Sequence, residues 1–167
     1  MFGRKKKAEE NIDRVFEVYS VTSGEIYDLS AVPDDVFANR ILGDGYAIKP
    51  DFNKIFSPVN GEIIDVQDSL HAYGIKSESG VEILVHIGIN SVSLNGKGFL
   101  SHVKAGDKVR HGDLLSTVDL QVLSDNNIPT DTVVIITDTD RITDLKVNYG
   151  FFDTDSAPVM TYKLKRK

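Results

Sequence analysis

From Val15 onward the chain breaks into short β-prone stretches, residues 61–66, 81–87, 114–120 and 133–137 among them, separated by clusters of Gly, Asp, Asn and Ser. No long helical period competes with them. Many short strands with frequent turns specify an all-β sandwich or barrel. Setting residues 20–29 (SVTSGEIYDL) over residues 57–66 (SPVNGEIIDV) matches Ser, Gly, Glu, Ile and Asp at the same offsets. Two copies are too few for a solenoid, so the match predicts a duplicated β-motif inside one domain. Gly106-Asp107 and Gly112-Asp113 bracket a very short strand at Val109. One segment breaks the pattern. Residues 33–42 begin with Pro and Asp and carry Val36, Phe37, Ile41 and Leu42 at near-helical spacing, which predicts one or two helical turns covering the core.

The most informative spacing concerns His71 and His86. Residues 71–76 and 81–87 read as two strands joined through Ser77-Glu78-Ser79-Gly80, whose Ser and Gly suit a type I turn. Closing the hairpin at Ser77/Gly80 sets Lys76 opposite Val81 and, counting outward, His71 opposite His86. Their Cβ atoms would then lie about 4.5–5.5 Å apart. Alternation puts Val81, Ile83, Val85 and Ile87 on the core face, leaving Leu84, His86, Tyr73 and His71 on a face that solvent can reach. Such a pair could hold a metal, couple a nucleophilic imidazole to a hydrogen-bonding one, or be incidental. A catalytic zinc wants about three protein ligands, and this hairpin supplies two. His102 and His111 sit among charges near turns and read as surface residues.

Composition narrows the classes. At 167 residues one domain is the natural count, read here as 15–167 behind a polar, basic arm over residues 1–14. With no Cys there is no disulfide framework, thiolate nucleophile or Cys-ligated metal. The longest aliphatic run, residues 133–136, is far short of the roughly 18 residues of a membrane span, and the charged beginning does not read as a secretory signal. A cytoplasmic protein is expected. The formal charge is −6, yet Arg4, Lys5, Lys6, Lys7, Lys163, Lys165, Arg166 and Lys167 crowd the two ends, so the body between is strongly acidic. Such a body repels nucleic acid and suits a basic protein partner.

The segment from Gly80 through His86 to Val92 (GVEILVHIGINSV), with His71 fifteen positions before His86, resembles the phosphorylation-site region of the glucose-type enzyme IIA of the bacterial sugar phosphotransferase system. The similarity extends through residues 23–26, 33–38, 43–50 and 106–109. It implies a flattened antiparallel β-sandwich with short helical turns. It also implies that His86 accepts a phosphoryl group from the carrier HPr and passes it to a cysteine on a sugar-specific IIB domain. In that reading His71 stabilises the phosphoryl group and Ser69 orients His71. Val36, Phe37, Ile41 and Leu42, with Leu84 and Asn90, become an apolar docking surface, and Asp34 an acidic rim position. No cofactor is required, although a zinc ion bridging His71, His86 and a partner carboxylate is allowed. The alternative implied by the resemblance is a regulatory module docking on other permeases or a metabolic kinase such as glycerol kinase. Asn90 stands where the family usually has Asp, and Thr22 and Val133 where proline is common.

Overall fold

Strand alternation decides the architecture. The structure, a computed structural model, describes residues 13–166, so the basic arm expected over residues 1–14 lies outside the described residues except for Asp13 and Arg14. In order come β1 (Phe16–Tyr19), β2 (Gly24–Tyr27), α1 (Asp35–Ala38), β3 (Asp44–Pro50), β4 (Lys54–Phe56), β5 (Gly61–Val66), β6 (Ala72–Ser77) and β7 (Glu82–Ile87). Then follow β8 (Phe99–Ser101), β9 (Lys108–Val109), β10 (Leu114–Val118), α2 (Leu120–Asp125), β11 (Thr132–Ile136), β12 (Ile142–Val147), β13 (Gly150–Phe152) and β14 (Pro158–Leu164). An eight-stranded sheet runs β13-β2-β3-β11-β7-β6-β5-β9, accompanied by three-stranded sheets β1-β14-β12 and β4-β10-β8. All pairings are antiparallel. The all-β sandwich expected from the strand spacing is the fold that forms.

The inward positions of the large sheet, Ile26, Tyr46, Ile48, Tyr73, Ile75, Ile83, Val85, Ile87, Val134 and Ile136, join Leu115, Met160 and Tyr162 in the main core. The other face of the same sheet carries a smaller cluster of Leu29, Val32, Phe37, Ala47, Ile89, Val133 and Ile135. β11 is therefore buried on both sides, which explains its unbroken aliphatic sequence.

The duplication is physical as well as textual. The buried Ser20 hydroxyl donates to the carbonyl of Thr22 at 2.6 Å, and the buried Ser57 hydroxyl to that of Val59 at 2.8 Å. Gly24 and Gly61 then each meet a neighbouring strand so closely that a Cβ would lie 2.1 Å from the Lys49 carbonyl oxygen in one copy and 2.2 Å from that of Lys76 in the other.

The β6–β7 hairpin corrects the expected register by one residue. Ala72, not His71, lies opposite His86, and Tyr73 opposite Val85. A four-residue turn forms, with Gly80 N–H donating to Ser77 O, but the hairpin closes one residue later, where Ser77 N–H donates to Val81 O. Gly80, at φ +89°, is the extra left-handed residue of a bulged three-residue loop. Tyr73 accordingly belongs to the core face, fully buried, its hydroxyl donating to the Leu115 carbonyl at 3.2 Å.

Candidate functional site

His86 sits near the middle of the eight-stranded sheet, on β7 between β11 and β6. A single row of residues crosses the outer face here: Tyr27, Ala47, Val133, His86 and Ala72. Ala47 and Ala72, with Gly45 and Gly74 in the next row, are small, so the floor beside the imidazole is low. The gap is filled from above by the segment after β2. Leu29 and Val32 pack down first, and α1 then delivers Phe37. Asp34 starts α1 by accepting from the Val36 amide at 2.9 Å and the Phe37 amide at 3.4 Å. Arg40 ties the far end down, its guanidinium paired with both Asp28 and Asp44.

The His86 ring is held between two others. Phe37 lies 4.9 Å away, centroid to centroid, tilted by 59°, and His71 lies 5.0 Å away, edge-on. His71 reaches this position although the register places it opposite Ile87, whose amide donates to the His71 carbonyl at 2.7 Å. Beyond His86 the chain is fastened by Gly88 N–H to Asp131 O and Ile89 N–H to Pro129 O, and by the Ser91 hydroxyl to Ile87 O.

Burial, and then the neighbouring His71, lower the His86 pKa from 6.5 to about 4. The carbonyls of Gly88 and of His86 itself and the Asp34 carboxylate pull it up by less. Neither carbonyl meets Nδ1 with full hydrogen-bond geometry, and Nδ1 of both histidines is buried without a protein partner. Burial also lowers the His71 pKa. Both rings are therefore neutral at pH 7, a half-buried imidazole beside a buried one. A neutral imidazole with one accessible nitrogen is a nucleophile, and its partner ring can donate a hydrogen bond to whatever group it accepts.

A family model described as phosphoenolpyruvate-dependent sugar phosphotransferase system, EIIA 1, matches residues 16–142. The chain belongs to this EIIA family. It is 40% identical over 144 residues to the "PTS system glucose-specific EIIA component" of Halalkalibacterium halodurans, covering 85% of this chain and 83% of that one. It is 45% identical over 135 residues to the "PTS system glucose-specific EIICBA component" of Streptococcus pneumoniae, covering 81% of this chain but 19% of that longer protein. The solved "glucose permease IIA from Mycoplasma capricolum" superposes with a TM-score of 0.84 at 37% identity, covering 89% of this chain and 96% of that one. Among the described residues no helix is long and apolar enough to cross a membrane.

Within this EIIA fold the residues singled out from the sequence separate by role. His71 and His86 come together. Leu84 is half-buried on the same face, packed on the smaller cluster. Val36, Ile41 and Leu42 are exposed around the site, Ile41 most of all at 68%. Phe37 departs from the expected docking patch: at 5% exposure it is a core residue of the smaller cluster and spends its surface on His86 and its neighbours. Asn90 is exposed in a left-handed conformation before the 3-10 turn Ser91–Leu94. Ser69 is half-buried two residues before His71, but His71 Nδ1 has no partner, so the orienting bond expected from Ser69 is not made to that atom. Asp34 serves first as the cap of α1. Sequence reading missed Val92, 53% exposed beside Asn90, and the bond from the Tyr27 hydroxyl to the Asp131 carboxylate in the row of His86. An apolar residue just beyond the turn after β7 was the available signal for Val92. Tyr27 and Asp131 meet only through the sheet order, which leaves no local trace.

Proposed function

We propose that this chain is a glucose-type phosphocarrier of the sugar phosphotransferase system, working in the cytoplasm, that takes a phosphoryl group from phospho-HPr onto His86 and passes it to the cysteine of a IIB domain. The observation that carries the reading is the neutral His86 ring, edge-on to His71 within the segment matched by the family model. With Nδ1 buried, Nε2 is the nitrogen left to attack phosphorus. A new N–P bond forms there as the N–P bond of the donor phosphohistidine breaks, and onward transfer exchanges it for an S–P bond. Phosphoryl transfer runs through a loose transition state in which in-line placement and nearby donors do most of the work, so a rigid ring flanked by a second imidazole suffices. Zinc between the two rings would need a further ligand from a partner, because no group of three His, Asp or Glu side chains comes together among the described residues.

The test is incubation with enzyme I, HPr and labelled phosphoenolpyruvate. An acid-labile label should map to His86 and vanish in His86→Ala. His71→Ala should still accept the label yet pass it on slowly. Labelling that survives His86→Ala refutes the assignment.

A further inference from the structure

Among the described non-glycine residues with positive φ, five are Asn or Asp, the types that tolerate a left-handed backbone. The two others are Arg40 and Leu70. Arg40 is compensated by its two carboxylates. Leu70, at φ +58°, is a branched apolar side chain where Asn or Gly would be at ease, and it stands immediately before His71.

Its position matters because His71 stands at a bend immediately before β6 and does not continue that strand's alternation. Ala72 faces outward opposite His86, and Tyr73 faces the core. One step earlier, His71 should face the core as Tyr73 does. Its ring is instead edge-on to His86. The left-handed residue before it turns the incoming chain at this corner, so His71 enters from a bend and not from an extended run. The β5–β6 loop closes with Gln67 N–H to Ala72 O at 3.0 Å, and Leu70 N–H folds back to Gln67 O at 2.8 Å. The Leu70 side chain is partly buried against the main core, and its Cδ1 lies beside Gly96, where an added Cβ would sit 3.8 Å away. Packing thus opposes the backbone cost, and the turn cannot relax without pulling Leu70 off the core. Backbone strain held in place by surrounding structure is the pattern found at pre-organised sites.

We infer that Leu70 is a positioning residue for His71: its partly buried side chain anchors the left-handed corner from which the second imidazole reaches His86. The inference rests on the phosphocarrier reading and deepens it. Leu70→Gly keeps the left-handed backbone without strain but removes the anchor, whereas Leu70→Met keeps an apolar one. The full-length variants would be compared in three measurements: labelling from phospho-HPr, transfer onward to the isolated IIB domain of the Streptococcus pneumoniae relative, and the nuclear Overhauser contact between the two histidine rings. Leu70→Gly should lose the ring contact and slow onward transfer at least tenfold, while labelling changes less than twofold and the thermal midpoint shows a folded protein. Leu70→Met should restore both contact and transfer. Wild-type onward transfer in Leu70→Gly overturns the inference, as does a proportional fall in both steps, which marks a merely structural role. Loss of the phosphocarrier reading would show separately, as labelling that survives His86→Ala.

Discussion

A nucleophilic imidazole has to be unprotonated at its working pH, and burial gives His86 that state at a cost in acid. Its folded pKa of about 4 lies below the ordinary 6.5, so between those values the unfolded chain binds the proton and the folded one does not. Stability from this group is complete above pH 6.5 and drains away as pH falls toward 4. Urea midpoints measured from pH 7 to pH 4 should therefore fall less steeply in His86→Gln than in the parent chain, and carbon-detected titration should find His86 still neutral at pH 5. Phe37 is part of the cause. Phe37→Ala removes a buried ring from the smaller cluster, which should cost about 3 kcal/mol. It also opens one side of His86, so the His86 pKa should rise toward 6.5 in the same titration. An unchanged pKa would mean that Phe37 shields His86 from nothing. The helical spacing alone set residues 33–42 over the core, and Phe37 bears that out where the resemblance had placed it on the docking surface; which of the four apolar residues turns inward was not legible, since they read the same whether a helix is a lid or a landing surface. Only the small residues beneath it, Gly45 and Ala47 of β3 with Ala72 and Gly74 of β6, create the hole that Phe37 fills.

At the level of elements, the repeated serine-to-glycine corner was readable because its chemistry is local. A buried Ser hydroxyl bonds two residues ahead, and Gly four residues after the Ser lets two backbones touch. Gly24→Ala and Gly61→Ala should each destabilise the fold by about 1–3 kcal/mol or more through the clash with the Lys49 or Lys76 carbonyl. Denaturant melts showing one large and one negligible effect would disprove the equivalence of the two corners. The β6–β7 turn shows where local reading stops. Gly at the fourth position of Ser77-Glu78-Ser79-Gly80 suits both the end of a plain type I turn and the left-handed residue of a bulged one. The two closures differ by one residue in register, and every side chain on β6 changes its partner with them. The histidines still meet because His71 stands at the bend before β6, where strand alternation no longer applies, and the left-handed Leu70 at that bend is a backbone feature that an apolar residue type does not announce.

On the scale of the whole molecule, the sandwich class followed from strand spacing, but the order β3-β11-β7 did not. Strands distant in the chain are neighbours there, and hydrophobic pattern carries no information about which distant edge a strand joins. Charge, by contrast, is legible without any topology, because acids far outnumber bases once the two ends are set aside. Under the phosphocarrier reading the acidic body steers a basic-faced partner toward the sheet face of His86. Asn90, exposed beside that face, is where one further carboxylate belongs. Its left-handed backbone suits Asp as well as Asn, so Asn90→Asp should leave the thermal midpoint unchanged. An exposed charge pair contributes up to about 1 kcal/mol, which corresponds to about a fivefold gain in affinity. Labelling from phospho-HPr at limiting donor concentration should accelerate by up to that factor in low salt, through association rather than turnover. The gain should shrink as ionic strength rises and the screening length falls to about 3 Å at 1 M. An acceleration that persists undiminished at 1 M salt would show that the new carboxylate acts by direct contact with the partner or with His86, and not through the field of the acidic body.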